Sequence, residues 1–412
     1  EDNPKLNNLL TKVYVRTALE PNTLGALVDL AASLHFTHDE HGGDLLGDVY
    51  EYFLGNFAGS EGKNAGEFFT THSIVNVLVE ILAPHVGKLY DPACGAGGMF
   101  VSSKKFILRH GGKASDISIY GQERNPNTWK LAAMNLAIRG LDFNLGESNG
   151  DTFSADKHPT LKADYIQMNP PFGQNSEWPR ESLLDDPRWV YGVPPAKPAH
   201  FAWLQHALHH LSNKGQAGIV MPNGTLTTTS GGEDSIRQKM VEADVVECIV
   251  SLPGQLFLNT QIPCCLWFLA KDKTKNGRAR KGEVLFIDAR KLGFMKSRVN
   301  RELSEEDVQK ISQTVHLWRE DKNRAEVPEG TEAPVYADIP GFCKSATLKE
   351  IQNHGYVLSP GRYTGSEDIE DDEESFKERL DELVGELKGL FSRSDELRLE
   401  VKRGMKGLGY EL

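Results

Sequence analysis

From Lys88 onward the chain alternates between short apolar runs, too brief for helices, and longer runs with helical spacing. Strand-like segments fall at 88–91, 117–121, 164–168, 217–221, 245–251, 264–270 and 283–288, with helix-like segments at 98–109, 126–139, 200–212 and 233–242. Strands that alternate with helices pair in parallel, so this order predicts a mostly parallel α/β sheet covered on both faces. The runs 245–251 and 264–270 are joined by a loop without a helix, which predicts an antiparallel hairpin at one edge. Upstream, Leu9, Leu10, Val13 and Val15, then Leu45, Leu46, Val49, Tyr50, Phe53 and Leu54, make residues 1–60 a helical region. Residues 73–83 read as a further helix, capped by Ser73 or Thr71.

Composition narrows the class. The 412 residues allow two or three domains, and 39% apolar with 25% charged content is that of a soluble globular protein. The longest apolar run, Cys264–Ala270, is far too short to span a membrane. No basic segment leads into an apolar one, so no signal peptide is expected, and the start at Glu1 without Met predicts that the natural N-terminus lies further upstream. Five cysteines, at 94, 248, 264, 265 and 343, have neither zinc spacing nor the even count of a disulfide framework, which points to the reducing cytoplasm. The net charge is −12. A protein that grips phosphates alone carries a basic face, so a nucleic-acid role here implies a partner that supplies much of the grip.

Four turns at strand ends carry the chemistry. The first, "YDPACGAGGMF", brings Asp91, Ala93, Gly95, Ala96, Gly97 and Gly98 between a strand and a helix. The glycines let the backbone approach a ligand, but their spacing is not that of a dinucleotide fingerprint. Glu123 closes the next strand, where an acid can accept both hydroxyls of a ribose. Asp151, followed by Thr152, sits where a third strand should end and suits an exocyclic adenine amine. The series reads as a site for a nucleoside without phosphate, S-adenosylmethionine.

The fourth turn is "DYIQMNPPFGQN", where the strand stops at Asn169 and Pro170, Pro171 and Phe172 follow. An adenine N6 amine is a poor nucleophile, because its lone pair is delocalised into the ring. Two acceptors that take its two N–H bonds turn it toward tetrahedral geometry. The side-chain oxygen of Asn169 is one, and the backbone carbonyl of Pro170, held by the fixed φ of the diproline, is the other. Phe172 offers a face for stacking on the base. Asn is not a general base, so catalysis here is positioning and electrostatics, and no metal is needed. A base in a duplex must first be flipped out, at a cost of a few kcal/mol.

"NPPF" together with "DPACGAGG" resembles the amino-group DNA methyltransferases. "GEFFTTHSIV", "DLLGDVYEYFLGNFA", "GQERNPNTWKLAAMNLAIRG", "GIVMPNGTL", "SLPGQLFLNTQIPCCLWFLAK" and "VLFIDAR" extend the resemblance to the modification (M) subunits of type I restriction–modification systems, over roughly residues 40–300 and more weakly through "YVLSPGRY". The resemblance implies a Rossmann-like sheet with the antiparallel edge hairpin, a helical N-terminal region and a C-terminal helix. It implies an adenine-N6 methyltransferase that uses S-adenosylmethionine on DNA. It also implies a specificity (S) subunit that reads the sequence, usually with two M per S, and a restriction subunit for cleavage. By the same resemblance Glu67, Phe68, Phe69, Thr70, Thr71 and His72 meet the methionine end of the cofactor, although Phe69 replaces a common Tyr and Thr71-His72 departs from the usual pair. The expected organisation is 1–60, a catalytic domain over 61–300, a mixed connecting region over 301–366, and an acidic linker with a terminal helix over 367–412.

That terminal helix carries a heptad-like stripe, Phe376, Leu380, Leu383, Leu387, Leu390, Leu397 and Val401, expected to pack on the S subunit. The long segment 173–200 mixes Trp178, Trp189 and Tyr191 with Arg180, Arg188 and Lys197, and is expected to close over the flipped adenine. His206 and His210 have helical ligand spacing but no third ligand in sequence, so no metal is expected. Methyltransferases of RNA or of a protein glutamine amide, cytosine-N4 enzymes, and an inert DNA-binding scaffold are the rival readings.

Overall fold

In the computed structural model the alternation becomes one sheet with helices on its two faces. The structure describes residues 20–33, 70–172, 178–257, 261–274, 277–321 and 334–365, and positions 385, 388, 391, 393 and 394. The chain divides into two units, 1–366 and 367–412. The acidic run, the whole heptad stripe and most of the N-terminal helical region lie outside the described residues. Within that region α1 (Pro21–Ser33) is helical, with Leu27, Val28 and Leu30 exposed.

The helices that follow are α2 (His72–Leu82), α3 (Gly98–Arg109), α4 (Pro126–Ile138), α5 (His200–His210), α6 (Glu233–Glu242), α7 (Glu305–Arg319), α8 (Leu348–Asn353) and α9 (Pro360–Thr364). The strands are β1 (Gly87–Asp91), β2 (Ile117–Gly121), β3 (Phe143–Asn144), β4 (Ala163–Met168), β5 (Leu211–Pro222), β6 (Val246–Ser251), β7 (Cys264–Ala270), β8 (Glu283–Asp288), the separate pair β9 (Phe294–Met295) and β10 (Arg301–Glu302), and β11 (Cys343–Thr347). The main sheet runs β11-β8-β6-β7-β5-β4-β1-β2-β3. β3, β2, β1, β4 and β5 are mutually parallel, whereas β7 is antiparallel to both β5 and β6.

The expected hairpin, β6–β7, is therefore present but not at the edge. β8 adds in parallel to β6, and β11 adds antiparallel to β8, so the hairpin sits inside the sheet. Every residue of β6 and β7 is buried, as near-continuous apolar runs require when both faces are covered. The segment 301–366 is more than a connector, because it supplies edge strand β11 and helix α7 to this same unit.

Period-two alternation assigns the two faces. Leu266 and Phe268 of β7 join α2, α3, α4 and α7 in one core, while Cys265, Trp267 and Leu269 join α5 and α6 in the other. α2 lies close to the sheet. A Cβ on Gly218 would come within 2.9 Å of Phe268 and 3.2 Å of Leu78 and Leu82. Ile74, Val77, Leu78 and Ile81 of α2 are fully buried, each contributing roughly 1.5–3 kcal/mol relative to exposure. The C-terminal end of α2 is tied down by a buried ion cluster. Glu247 on β6 receives Arg280 at 3.0 Å and Arg319 at 2.7 Å, and Arg319 also donates to the Ile81 carbonyl at 2.8 Å. Burial alone would raise the Glu247 carboxyl, but the two guanidinium groups hold it below the ordinary range.

Candidate active site

The sheet reverses its strand order between β1 and β4, and ligands of open α/β sheets bind in the crevice at the carboxyl ends of strands flanking such a point. Both principal motifs lie there. Tyr90 pairs with Ile166, so the turn after Asp91 and the turn after Met168 emerge side by side.

The glycine turn is held from below. The β1–β2 ladder runs on past its strands, as Gln122 N donates to the Asp91 carbonyl (3.0 Å) and Cys94 N to the Gln122 carbonyl (3.0 Å). Gly95 (φ 53°) and Gly97 (φ 81°) take left-handed conformations, which favour glycine, and Asn135 on α4 donates to the Ala96 carbonyl at 2.9 Å. A Cβ on Gly98 would meet nothing within 4 Å, so the first residue of α3 faces open space.

Two carboxyls frame this turn. Asp91 is 2% exposed and accepts from Ala93 N at 2.9 Å. Burial, with Glu123 nearby as a lesser cause, pushes its pKa up to about 8 despite that hydrogen bond. Glu123 accepts from Gly95 N (3.1 Å) and Asn125 N (2.7 Å), and burial pushes it up as well. The turn and the acid that follows β2 are thus physically bonded.

Asp151 is not at a strand end. β3 is only two residues long and stops at Asn144. Asp151 Oδ1 accepts from Phe153 N, Ser154 N and Ser154 Oγ, so one carboxylate oxygen closes its own turn. The segment still reaches the crevice. Gly150 N donates to the Glu123 carbonyl at 2.9 Å, and Thr152 Oγ1 donates to the Pro92 carbonyl at 2.6 Å. The Thr152 hydroxyl proton is thereby committed to the protein, which leaves its oxygen only as an acceptor.

At the β4 end, Asn169 Nδ2 donates to Thr70 Oγ1 at 3.0 Å. This anchors the amide by its nitrogen. Its Oδ1 is buried and has no partner, and the same is true of the Thr71 hydroxyl. Thr71 occupies the N-cap position of α2 yet makes no side-chain cap. A buried acceptor without a donor costs about 1–3 kcal/mol, and these two atoms lie beside the Asn-Pro-Pro-Phe turn. Pro170 is buried, and Phe172 is half-buried with its ring edge-on to Phe257, at 5.9 Å between centroids and 88° between planes. His72 is exposed, and Glu67, Phe68 and Phe69 lie outside the described residues.

Two features were not legible in the sequence. Thr70 acts on Asn169 itself, and Phe257 buttresses Phe172; no spacing rule singles out either. The 173–200 segment corrects an expectation. Trp178 and Trp189 are buried, their rings 4.7 Å apart and packed with Phe153. Arg188 is buried too, paired with Asp186 and donating to the carbonyls of Thr152 and Phe153. These side chains build the core beside α5 and do not face a flipped base.

Asp156, His206 and His210 place ligand-type atoms within 4.8 Å of one another, the one such grouping among the described residues. His210 faces the Leu161 carbonyl at Nδ1 (3.1 Å) and Asp156 at Nε2 (3.0 Å). His206 lies between the Tyr90 hydroxyl (3.3 Å) and the Arg188 guanidinium (3.2 Å). Burial, His210 and Arg188 together push His206 far below the ordinary range. The guanidinium opposes any cation there, and the cluster serves as a buried hydrogen-bond network.

A Rossmann-like sheet with a glycine turn, a carboxyl bonded to that turn and an Asn-Pro-Pro-Phe turn at its switch point defines an amino-group methyltransferase. Comparison with known proteins makes this particular. Residues 41–372 match the N-6 DNA Methylase family. The HindI methylase subunit of Haemophilus influenzae, of a type I restriction enzyme, is 47% identical over 100% of this chain and 90% of its own. The MjaIX methylase subunit of Methanocaldococcus jannaschii is 36% identical, over 98% of this chain and 71% of its own. Among solved structures, a type I restriction–modification methyltransferase subunit from Streptococcus thermophilus superposes with a TM-score of 0.67 at 28% identity, covering 83% of this chain and 68% of that one. The chain belongs to the N-6 DNA methylase family, enzymes of adenine-N6 methylation, and within it to the modification subunits of type I systems.

Proposed function

We propose that this chain methylates the N6 amine of an adenine flipped out of duplex DNA, with S-adenosylmethionine bound in the crevice at the carboxyl ends of β1 and β4. The observation that carries the reading is the buried, partnerless Oδ1 of Asn169, aimed by the Thr70 hydroxyl. Oδ1 and the Pro170 carbonyl accept the two N–H bonds of the amine, and Phe172, braced by Phe257, receives the ring. The residues present fit the cofactor. Thr71 offers an uncommitted hydroxyl, Gly95 to Gly98 a backbone that a ligand can approach, Glu123 lone pairs for ribose hydroxyls, and Asp91 a buried carboxyl suited to a cationic group. Bound there, S-adenosylmethionine supplies an electrophilic methyl on a sulfonium. Glu67 to His72 complete the methionine end, and Asp151, whose Oδ1 closes its own turn, takes the adenine end through its other oxygen. The acidic balance of the chain supports a separate specificity subunit as the reader of DNA sequence. We further propose two copies of this chain per reader, the 367–412 region as contact, and a restriction subunit joining for cleavage in the cytoplasm.

The test is labelled methyl transfer by the complex with its specificity subunit, comparing the wild type with Asn169→Ala. Removing a positioned acceptor lowers kcat by about 10²–10³ or more, while cofactor binding and assembly persist. Near-normal transfer by the variant overturns the mechanism. Transfer to RNA or protein at the rate of duplex DNA overturns the substrate.

A further inference from the structure

The β9–β10 hairpin has no part in the chemistry above, yet it is fastened to both sides of it. Arg301 N donates to the Gln255 carbonyl at 2.9 Å, two residues before Phe257, the ring that braces Phe172. Leu303 N donates to Ser73 Oγ at 3.0 Å, three residues beyond Thr70, the group that aims Asn169. Arg301 Nη1 closes the hairpin onto the carbonyls of Leu292 and Gly293. The base of the hairpin is therefore rigidly tied beside the base-binding turn.

Its outer residues are unusual for this chain. Residues 289–301 hold five basic side chains and no acid, in a protein of net charge −12. Lys291 and Arg298 are exposed, and Lys296 meets Glu302 only in an exposed pair of 2.6 Å. Among them Phe294, Met295 and Val299 stand 51%, 44% and 54% exposed. Lysines are depleted in the cores of protein–protein interfaces, whereas basic groups with an interleaved aromatic ring suit a polyanion with stacked bases.

We propose that the β9–β10 hairpin grips the target duplex beside the flipped adenine. Lys291, Lys296 and Arg298 take backbone phosphates, and Phe294 and Met295 pack against the base step that flipping exposes. This rests on the adenine-methylation reading above.

The experiment uses the complex with its specificity subunit and a duplex carrying the target site, with 2-aminopurine in place of the target adenine for fluorescence. The triple variant Lys291→Ala, Lys296→Ala, Arg298→Ala loses about tenfold or more in affinity near 0.1 M salt. Its plot of log K against log salt becomes shallower by about 2–3, at roughly 0.9 per phosphate. Cofactor affinity is unchanged. The double variant Phe294→Ala, Met295→Ala keeps the slope but loses more than half of the 2-aminopurine signal. A wild-type salt slope in the triple variant overturns the inference. So does loss of the specificity subunit on purification, which would make the hairpin a protein interface. A wild-type complex that fails to methylate DNA overturns the activity reading instead, and is seen before any variant is compared.

Discussion

Asp91 gives the sharpest quantitative test, because its burial makes stability depend on pH in a direction opposite to ordinary acid denaturation. In an unfolded chain its carboxyl titrates near 3.8, and in the folded protein near 8. Below pH ~4 it is protonated in both states, and its contribution to stability is fully present. Between about 4 and 8 the unfolded chain has released the proton and the folded protein still holds it, so stability falls as pH rises. Above 8 both states are ionised and the loss is complete. About four pH units at about 1.4 kcal/mol each set a ceiling of about 6 kcal/mol, and a change of about 2 is well within reach of denaturant titration. Glu123, also raised, acts in the same direction. Asp91→Asn removes the titration while its carbonyl oxygen can still accept from Ala93 N. Guanidinium unfolding of both proteins from pH 4.5 to 9 should show the wild type losing stability relative to the variant as pH rises. A cofactor that brings a sulfonium and an ammonium to this carboxyl should expel its proton. Calorimetry of cofactor binding in buffers of different ionisation enthalpy, at pH 6.5–7.5, should then report proton release in the wild type and less in the variant. Parallel stability curves for the two proteins across pH 4–8 would refute the reasoning.

The remaining expectations concern the anchors around the site. Asn169→Ala removes an unsatisfied acceptor worth about 1–3 kcal/mol and a hydrogen bond worth about 0.5–1.5, so its unfolding midpoint should match or exceed the wild type even as transfer is lost. Thr70→Val frees the Asn169 amide to rotate; kcat should fall by about tenfold, and Thr70→Ser should restore it, as steady-state kinetics will tell. Glu247→Gln leaves Arg280 and Arg319 buried without their counter-charge and should cost about 3–5 kcal/mol, read as a lower denaturant midpoint.

The sequence resolved what periodicity and local chemistry determine. β2, β7, β8, α3 and α6 begin and end where the apolar runs predicted, because each run is bounded by a turn or a charge. The β1, β2 and β4 turns fall on the expected residues, since glycine and proline fix backbone geometry locally. Long-range packing was not legible. Cys343–Thr347 is largely polar and lacks alternation, so nothing marks it as the edge strand that pairs with β8. Trp178, Trp189 and Arg188 look like a nucleic-acid surface in one dimension and prove to be core, because a guanidinium can be buried when Asp186 and two carbonyls receive it. β3 is too short to carry a signal, and so Asp151 was assigned to a strand end that does not exist.

The two costly groups of the site share one cause. Asp91 holds a proton out of its ordinary range, and Asn169 holds an acceptor without a donor, on adjacent strands of the same crevice. Neither helps the fold, and each becomes favourable only when a ligand supplies the missing charge or hydrogen. The same segment sets both ligand-facing sides. Thr70 aims the amide, Thr71 presents a spare hydroxyl, and Ser73 is bound to Leu303 before α2 enters the core. α2 is held at its other end by Arg319 and the Glu247 cluster, so its first turn has little freedom to relax and satisfy those groups internally. That rigidity keeps the unsatisfied atoms unsatisfied. It follows that loosening the far end of α2, as Glu247→Gln does, should weaken catalysis by more than any loss of folded protein accounts for, although Glu247 touches no ligand.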